Sequence, residues 1–198
     1  MKLLHTALFC ALTALALPAQ AATVTLDLTS NAPAFADERV NSGDTVSAGP
    51  FSLTFQSVQT LDNTPAFSLS LGMLLGNAEG FIASLDLIFN IDTVIETYGV
   101  GSGGQATGSF QISGPNGASG LNAFQTPGTN VFDMGTIPVF LAGETYTLTH
   151  DAAVAFLDAF ELSRPASVAP VPLPASLPLL LAGFGAVALL RRRASVAR

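Results

Sequence analysis

Apolar and polar side chains alternate with a period of two through most of the chain. Val24, Leu26 and Leu28 are interleaved with Thr23, Thr25, Asp27 and Thr29. A strand presents successive side chains to opposite faces, so this spacing predicts a strand with one side buried. The same rhythm recurs in Phe51, Leu53 and Phe55, and in Phe67, Leu69 and Leu71 against Ser68 and Ser70. Next come Leu85, Leu87, Phe89 and Ile91 against Asp86, Asn90 and Asp92, with Val94 and Ile95 either extending that strand or bending it through a bulge. Further strands are predicted at Phe110 and Ile112, over residues 131–140 with Gly135 and Pro138 interrupting, and at Tyr146 and Leu148. The last runs over residues 152–163. There Phe156, Asp158, Phe160 and Leu162 share one parity, but Ala155, Leu157 and Ala159 make the other nearly as apolar. Such a strand is covered on both sides over part of its length, and Asp158 must then find backbone donors or an edge.

Turn chemistry separates these segments. Asn41-Ser42-Gly43-Asp44, Ala48-Gly49-Pro50, Gly114-Pro115-Asn116-Gly117, Thr126-Pro127-Gly128 and Leu141-Ala142-Gly143-Glu144 place Gly, Pro or Asn where a tight turn needs a fixed or positive φ. A sustained helical stripe is missing; the nearest, residues 71–81, contains Gly72, Gly76 and Gly80. About eight short strands over residues 22–165 predict an all-β domain, an antiparallel β-sandwich of jelly-roll-like or immunoglobulin-like type. Fourteen Phe, two Tyr and no Trp point to a core filled by rings without polar handles. Sugar stacking would fall to Tyr98 and Tyr146.

The two ends follow other rules. Lys2, an apolar stretch over residues 3–17 and the small residues Ala19 and Ala21 around Gln20 form a secretory signal, residues 1–21, cut to leave Ala22 first. Cys10 lies inside that apolar stretch behind the bulky Phe9, which argues against a lipoprotein site. It is discarded with the peptide, so the mature chain is expected to fold without disulfides or thiol chemistry. All 14 acids lie from Asp27 to Glu161, and only Arg39 and Arg164 of the seven bases fall in residues 22–165. Two bases against fourteen acids leave that domain near −12, which excludes binding to a nucleic-acid backbone. The field suits solubility, repulsion between copies and loose association with divalent cations.

Residues 165–190 carry no charge. A Pro-rich linker, residues 166–175, ends in Val171-Pro172-Leu173-Pro174-Ala175. Residues 177–190 are apolar and are followed by Arg191-Arg192-Arg193. As a helix that run is about 21 Å long, short of a hydrocarbon core of about 30 Å. Ala175, Ser176 and snorkelling arginines narrow the deficit, and the arginines mark the cytoplasmic end. Residues 176–198 are thus expected to be a single transmembrane helix with an Arg-rich tail.

In their order and position, these features resemble the PEP-CTERM sorting signals of Gram-negative bacteria, in the VPLPA variant. The resemblance covers residues 171–198 and implies that an exosortase, a membrane-embedded cysteine transpeptidase-like enzyme, cuts near the motif. It implies an exported protein, tethered for a time in the inner membrane and then placed at the cell surface or outside it. Exopolysaccharide and biofilm matrix are the implied company.

Motifs for chemistry within the domain are sparse. His150 is its single histidine, without a second histidine or thiol to complete a transition-metal site, and is read as a solvated turn residue beside Asp151. No G-x-S-x-G occurs, and any Ser-His-Asp triad would have to use His150. Residues 99–104 fit G-x-G-x-x-G, but a strand rather than a helix is predicted downstream, so they are read as a flexible loop. Asp37-Glu38, Asp86 with Asn90 and Asp92, and Asp158 with Glu161 could supply oxygens to a structural Ca²⁺, but none has EF-hand spacing and solvated strand faces explain them better. The domain is therefore expected to be a non-enzymatic surface or matrix protein, with no catalytic, cofactor or metal residues assigned. The alternative is a glycan- or Ca²⁺-binding module.

Overall fold

In the computed structural model, residues 22–61, 63–102 and 107–166 are described. The motif Val171 to Ala175, the apolar run 177–190, Arg191, Arg192, Arg193 and the cleavage residues Ala19 and Ala21 lie outside them; Ala22 is the first described residue. Among the described residues no helix is long and apolar enough to cross a membrane.

The alternation becomes fourteen strands: β1 (Val24–Asp27), β2 (Arg39–Val40), β3 (Thr45–Ala48), β4 (Phe51–Thr60), β5 (Ala66–Leu69), β6 (Gly72–Gly76), β7 (Ile82–Phe89), β8 (Val94–Val100), β9 (Ser109–Gly114), β10 (Gly117–Ala118), β11 (Asn122–Ala123), β12 (Gly128–Val131), β13 (Thr145–His150) and β14 (Val154–Ser163). They form one curled, open and largely antiparallel sheet. One run of neighbours is β3-β4-β7-β13-β9, with β10 and β11 paired to β9. The other is β2-β5-β6-β14-β8-β12. The runs join through a single parallel pair, Leu75 with Ile82. β14 pairs along one edge first with β6 and then with β1, while β8 lies along its other edge.

Inward residues of both runs enter one core. Tyr98 of β8 meets Phe110 of β9 edge-on at 5.0 Å, and Phe89 of β7 lies 5.3 Å from Phe140. Tyr146 is fully buried, and its hydroxyl accepts from Leu141 N at 2.8 Å and donates to Asn116 Oδ1 at 3.0 Å. Asn116 Nδ2 in turn donates to Val139 O at 2.6 Å, so this buried polar chain is closed by partners at both ends. Tyr98 O–H donates to Ala123 O, and burial raises its pKa above the ordinary tyrosine value. Both tyrosines are core residues (3 % and 0 % exposed), which removes the two stacking platforms proposed from the sequence.

Four further expectations change. Phe67, Leu69 and Leu71 are only half-buried, whereas Ala66 and Ser68 face the core. Ser68 fits because its hydroxyl donates to Leu28 O at 2.7 Å. Val94 and Ile95 open a separate strand, β8, rather than extending β7. Residues 131–140 do not form one strand: β12 ends at Val131, and Gly135 takes φ +54° in the irregular stretch beyond it. From that stretch Phe132, Ile137 and Phe140 plug the core, and Phe140 exchanges both backbone bonds with Thr93. Finally, Gly99 and Val100 are buried residues of β8 rather than loop; residues 103–106 are outside the described set. β9 follows at Ser109, so no helix N-terminus meets the glycines.

β14 is where the two apolar parities meet. Its pairing with β8 slips between Leu157 and Ala159, placing Asp158 at a bulge. Before the bulge Ala155 and Leu157 are fully buried; after it Phe160 and Leu162 are. The extra residue switches which parity points inward.

Candidate functional site

The bulge turns Asp158 outward over a trough in the external face of β1, β14, β8 and β12. Register explains the trough. One cross-strand row reads Asp27, Ala159, Gly99, Thr129. Its two central positions carry a methyl group and no side chain, so the row is high at its ends and hollow between. The neighbouring row reads Thr25, Glu161, Thr97, Val131 and supplies one wall. The resulting open cavity is about 440 Å³ and also touches Thr29 and Gly128. Asp158 leans across Gly99 so closely that a Cβ there would collide with its carboxylate oxygen. Burial is the main influence on Asp158 and raises its carboxyl pKa; Asp27 adds repulsion in the same direction, and the amides of Asp158 and Ala159 offset part of it. Thr97 Oγ1 is screened from solvent without a hydrogen-bond partner.

Of the three predicted carboxylate groups, only Asp158 and Glu161 share a site, and Asp27, which the sequence reading missed, joins them. The others are used one by one in local structure. Asp37 accepts from Arg39 N. Asp86 accepts from Thr147 Oγ1 at 2.7 Å, Asn90 Oδ1 from Ser52 N at 2.7 Å, and Asp92 from Ala142 N at 3.0 Å. Among the described residues no three or more His, Cys, Asp or Glu side chains are placed to share a metal ion.

A second, smaller cleft of about 240 Å³ brings Ser109, His150 and Asp151 together, with Leu121 exposed at its side. These are the residue types of a hydrolytic triad, but their connections differ. Ser109 Oγ donates to Asp151 Oδ1 at 3.2 Å, and Ser109 N donates to the same oxygen. That backbone bond is the main reason the Asp151 pKa is lowered. His150 Nε2 lies 2.8 Å from Ile82 O, which can only accept, so the ring proton is on Nε2. Nδ1 is buried without a partner. The serine hydroxyl is thus bonded to the carboxylate and not to the imidazole, which is not the Ser-His-Asp order of a triad. His150 is accordingly a half-buried strand-end residue tying β13 to β7, not a solvated turn residue. Ser109 was invisible to sequence reasoning because 42 residues separate it from Asp151.

Compared with known proteins, the chain matches no family model, no curated protein and no solved structure.

Proposed function

We propose that this chain is an exported surface or extracellular-matrix protein whose domain, residues 22–165, is delivered by processing at both ends. In this reading signal peptidase cuts after Ala21. The run 177–190 then holds the chain in the inner membrane with Arg191, Arg192 and Arg193 inside, and an exosortase-like enzyme cuts near residues 171–175. The single observation that carries it is the order proline motif, short apolar run, arginine triplet, which begins eight positions beyond the last residue of β14, Ser163. The reading treats the curled sheet as a β-sandwich, jelly-roll-like or immunoglobulin-like, displayed among exopolysaccharide. The chain is the substrate of its partner and supplies no catalytic residue of its own.

Pro172 and Pro174 cannot donate ladder or helix bonds, which favours an extended segment that a peptidase can bind as a strand. Replacing both (Pro172→Ala, Pro174→Ala) in cells that contain the enzyme should leave a longer, membrane-retained species on a gel. Intact-mass analysis of the envelope protein locates both cuts. Normal maturation of the double variant would refute the assignment.

A further inference from the structure

We infer that the trough over Gly99 is a binding site for a neutral, hydroxyl-rich oligosaccharide. This goes beyond the proposed function and is independent of how residues 171–198 are processed.

The chemistry of the walls selects the ligand. Asp27, Asp158 and Glu161 as carboxylates only accept hydrogen bonds, while Thr25 and Thr129 can both donate and accept. Among the described residues no Lys or Arg lines the cavity, and residues 22–165 carry two bases against fourteen acids, so an anionic ligand meets repulsion there. The walls are therefore short of donors relative to acceptors. A ring bearing several hydroxyls supplies them, and a carboxylate can accept from two adjacent hydroxyls at once. The floor suits the remainder of such a ring: Ala159 and Gly99 offer a low apolar strip to its C–H face. A metal ion fits less well, because these carboxylates do not form a group placed to share one. The bulge in β14 and the glycine beneath it give the arrangement its shape, since any larger residue at position 99 would displace Asp158. The volume lies within the usual range for small-molecule pockets, at about 300–1,000 Å³. With no aromatic ring among its lining residues, the trough should bind weakly, with a Kd on the order of 1 mM.

The test uses the full-length chain in a sugar-free detergent, titrated with cellohexaose, mannohexaose and laminarihexaose, and with tetragalacturonate as an anionic comparison, by ligand-observed NMR. At least one neutral hexasaccharide should bind and tetragalacturonate should not. Gly99→Val should weaken binding by more than about tenfold, and Asp158→Asn by about five- to tenfold. Thr54→Val, on a strand of the other run, should leave it unchanged. Absence of binding by all three neutral sugars would overturn the inference, as would tetragalacturonate binding equal to theirs. So would a folded Gly99→Val variant that retains full affinity. If Gly99→Val does not fold, Asp158→Asn decides, and unchanged affinity in that variant is the overturning result.

Discussion

Two outward faces of this domain are made from the same period-two rule, yet one is filled and the other is hollow. On the run β3-β4-β7-β13-β9, away from the small cleft at Ser109 and Asp151, the exposed rows carry a side chain at each position. Gln56, Asp86, Thr147 and Ser113 lie abreast, as do Thr45, Thr54, Ile88 and Thr145. Many bond to one another: Thr45 to Thr54 at 2.9 Å, Ser47 to Ser52 at 2.7 Å, Thr147 to Asp86 at 2.7 Å. Such pairs spend their hydrogen bonds on each other and hold the face level. On β1-β14-β8-β12 the central positions are Ala159 and Gly99, and a bulge swings a carboxylate over the gap. The concavity on this β-sheet is set mainly by two small residues in one row and a slipped register.

That contrast can be tested by filling the gap. Gly99→Val forces a Cβ into the Asp158 carboxylate and should cost about 1–3 kcal/mol in urea denaturation. Ser113→Val, an added bulk on the level face, should stay within about 0.5 kcal/mol. Ser68→Ala beneath the hollow run should fall between the two, at about 1–2 kcal/mol, because the buried Leu28 carbonyl loses its donor. Equal effects of Gly99→Val and Ser113→Val would erase the distinction between the faces.

The smallest effect concerns Asp158→Asn. The folded state holds the Asp158 proton more tightly than the unfolded chain does, because burial and Asp27 disfavour the charge. Asp158 therefore weakens the fold as pH rises through its elevated pKa, and the asparagine variant should melt slightly higher at pH 7. The gain should vanish below about pH 3, where the carboxyl is protonated in both states. A gain that persists in acid would assign the effect to packing instead of charge.

Sequence periodicity located most of the sheet because Leu53, Phe55, Leu85, Leu87, Phe110, Ile112, Tyr146 and Leu148 repeat cleanly and are all buried. It misplaced β5 because hydropathy ranks Phe67 above Ser68, whereas the buried Ser68 hydroxyl donates to the Leu28 carbonyl. It misassigned residues 131–140 because the three apolar plugs Phe132, Ile137 and Phe140 are not held on a common strand. The trough was half legible: Asp158 and Glu161 stood out within one strand. Asp27, Thr129 and Gly99 join them only through register between strands far apart in sequence. The slip at Asp158 was foreshadowed by the two apolar parities of residues 152–163, although they did not specify a bulge.

The route by which the chain leaves the sheet bears on how the domain withstands tension. β14 is the last strand among the described residues, flanked on both edges, and it begins against β6 and ends against β1 and β8. A pull at the carboxyl end runs along β14, so its flanking hydrogen bonds are loaded together in shear. A pull applied between the two ends acts differently: Val24 and Leu162 are partners at the same rim, and their antiparallel strands would open like a zipper, one pair at a time. Held from its carboxyl end alone, the domain resists by its widest seam; held from both ends, it yields at its narrowest.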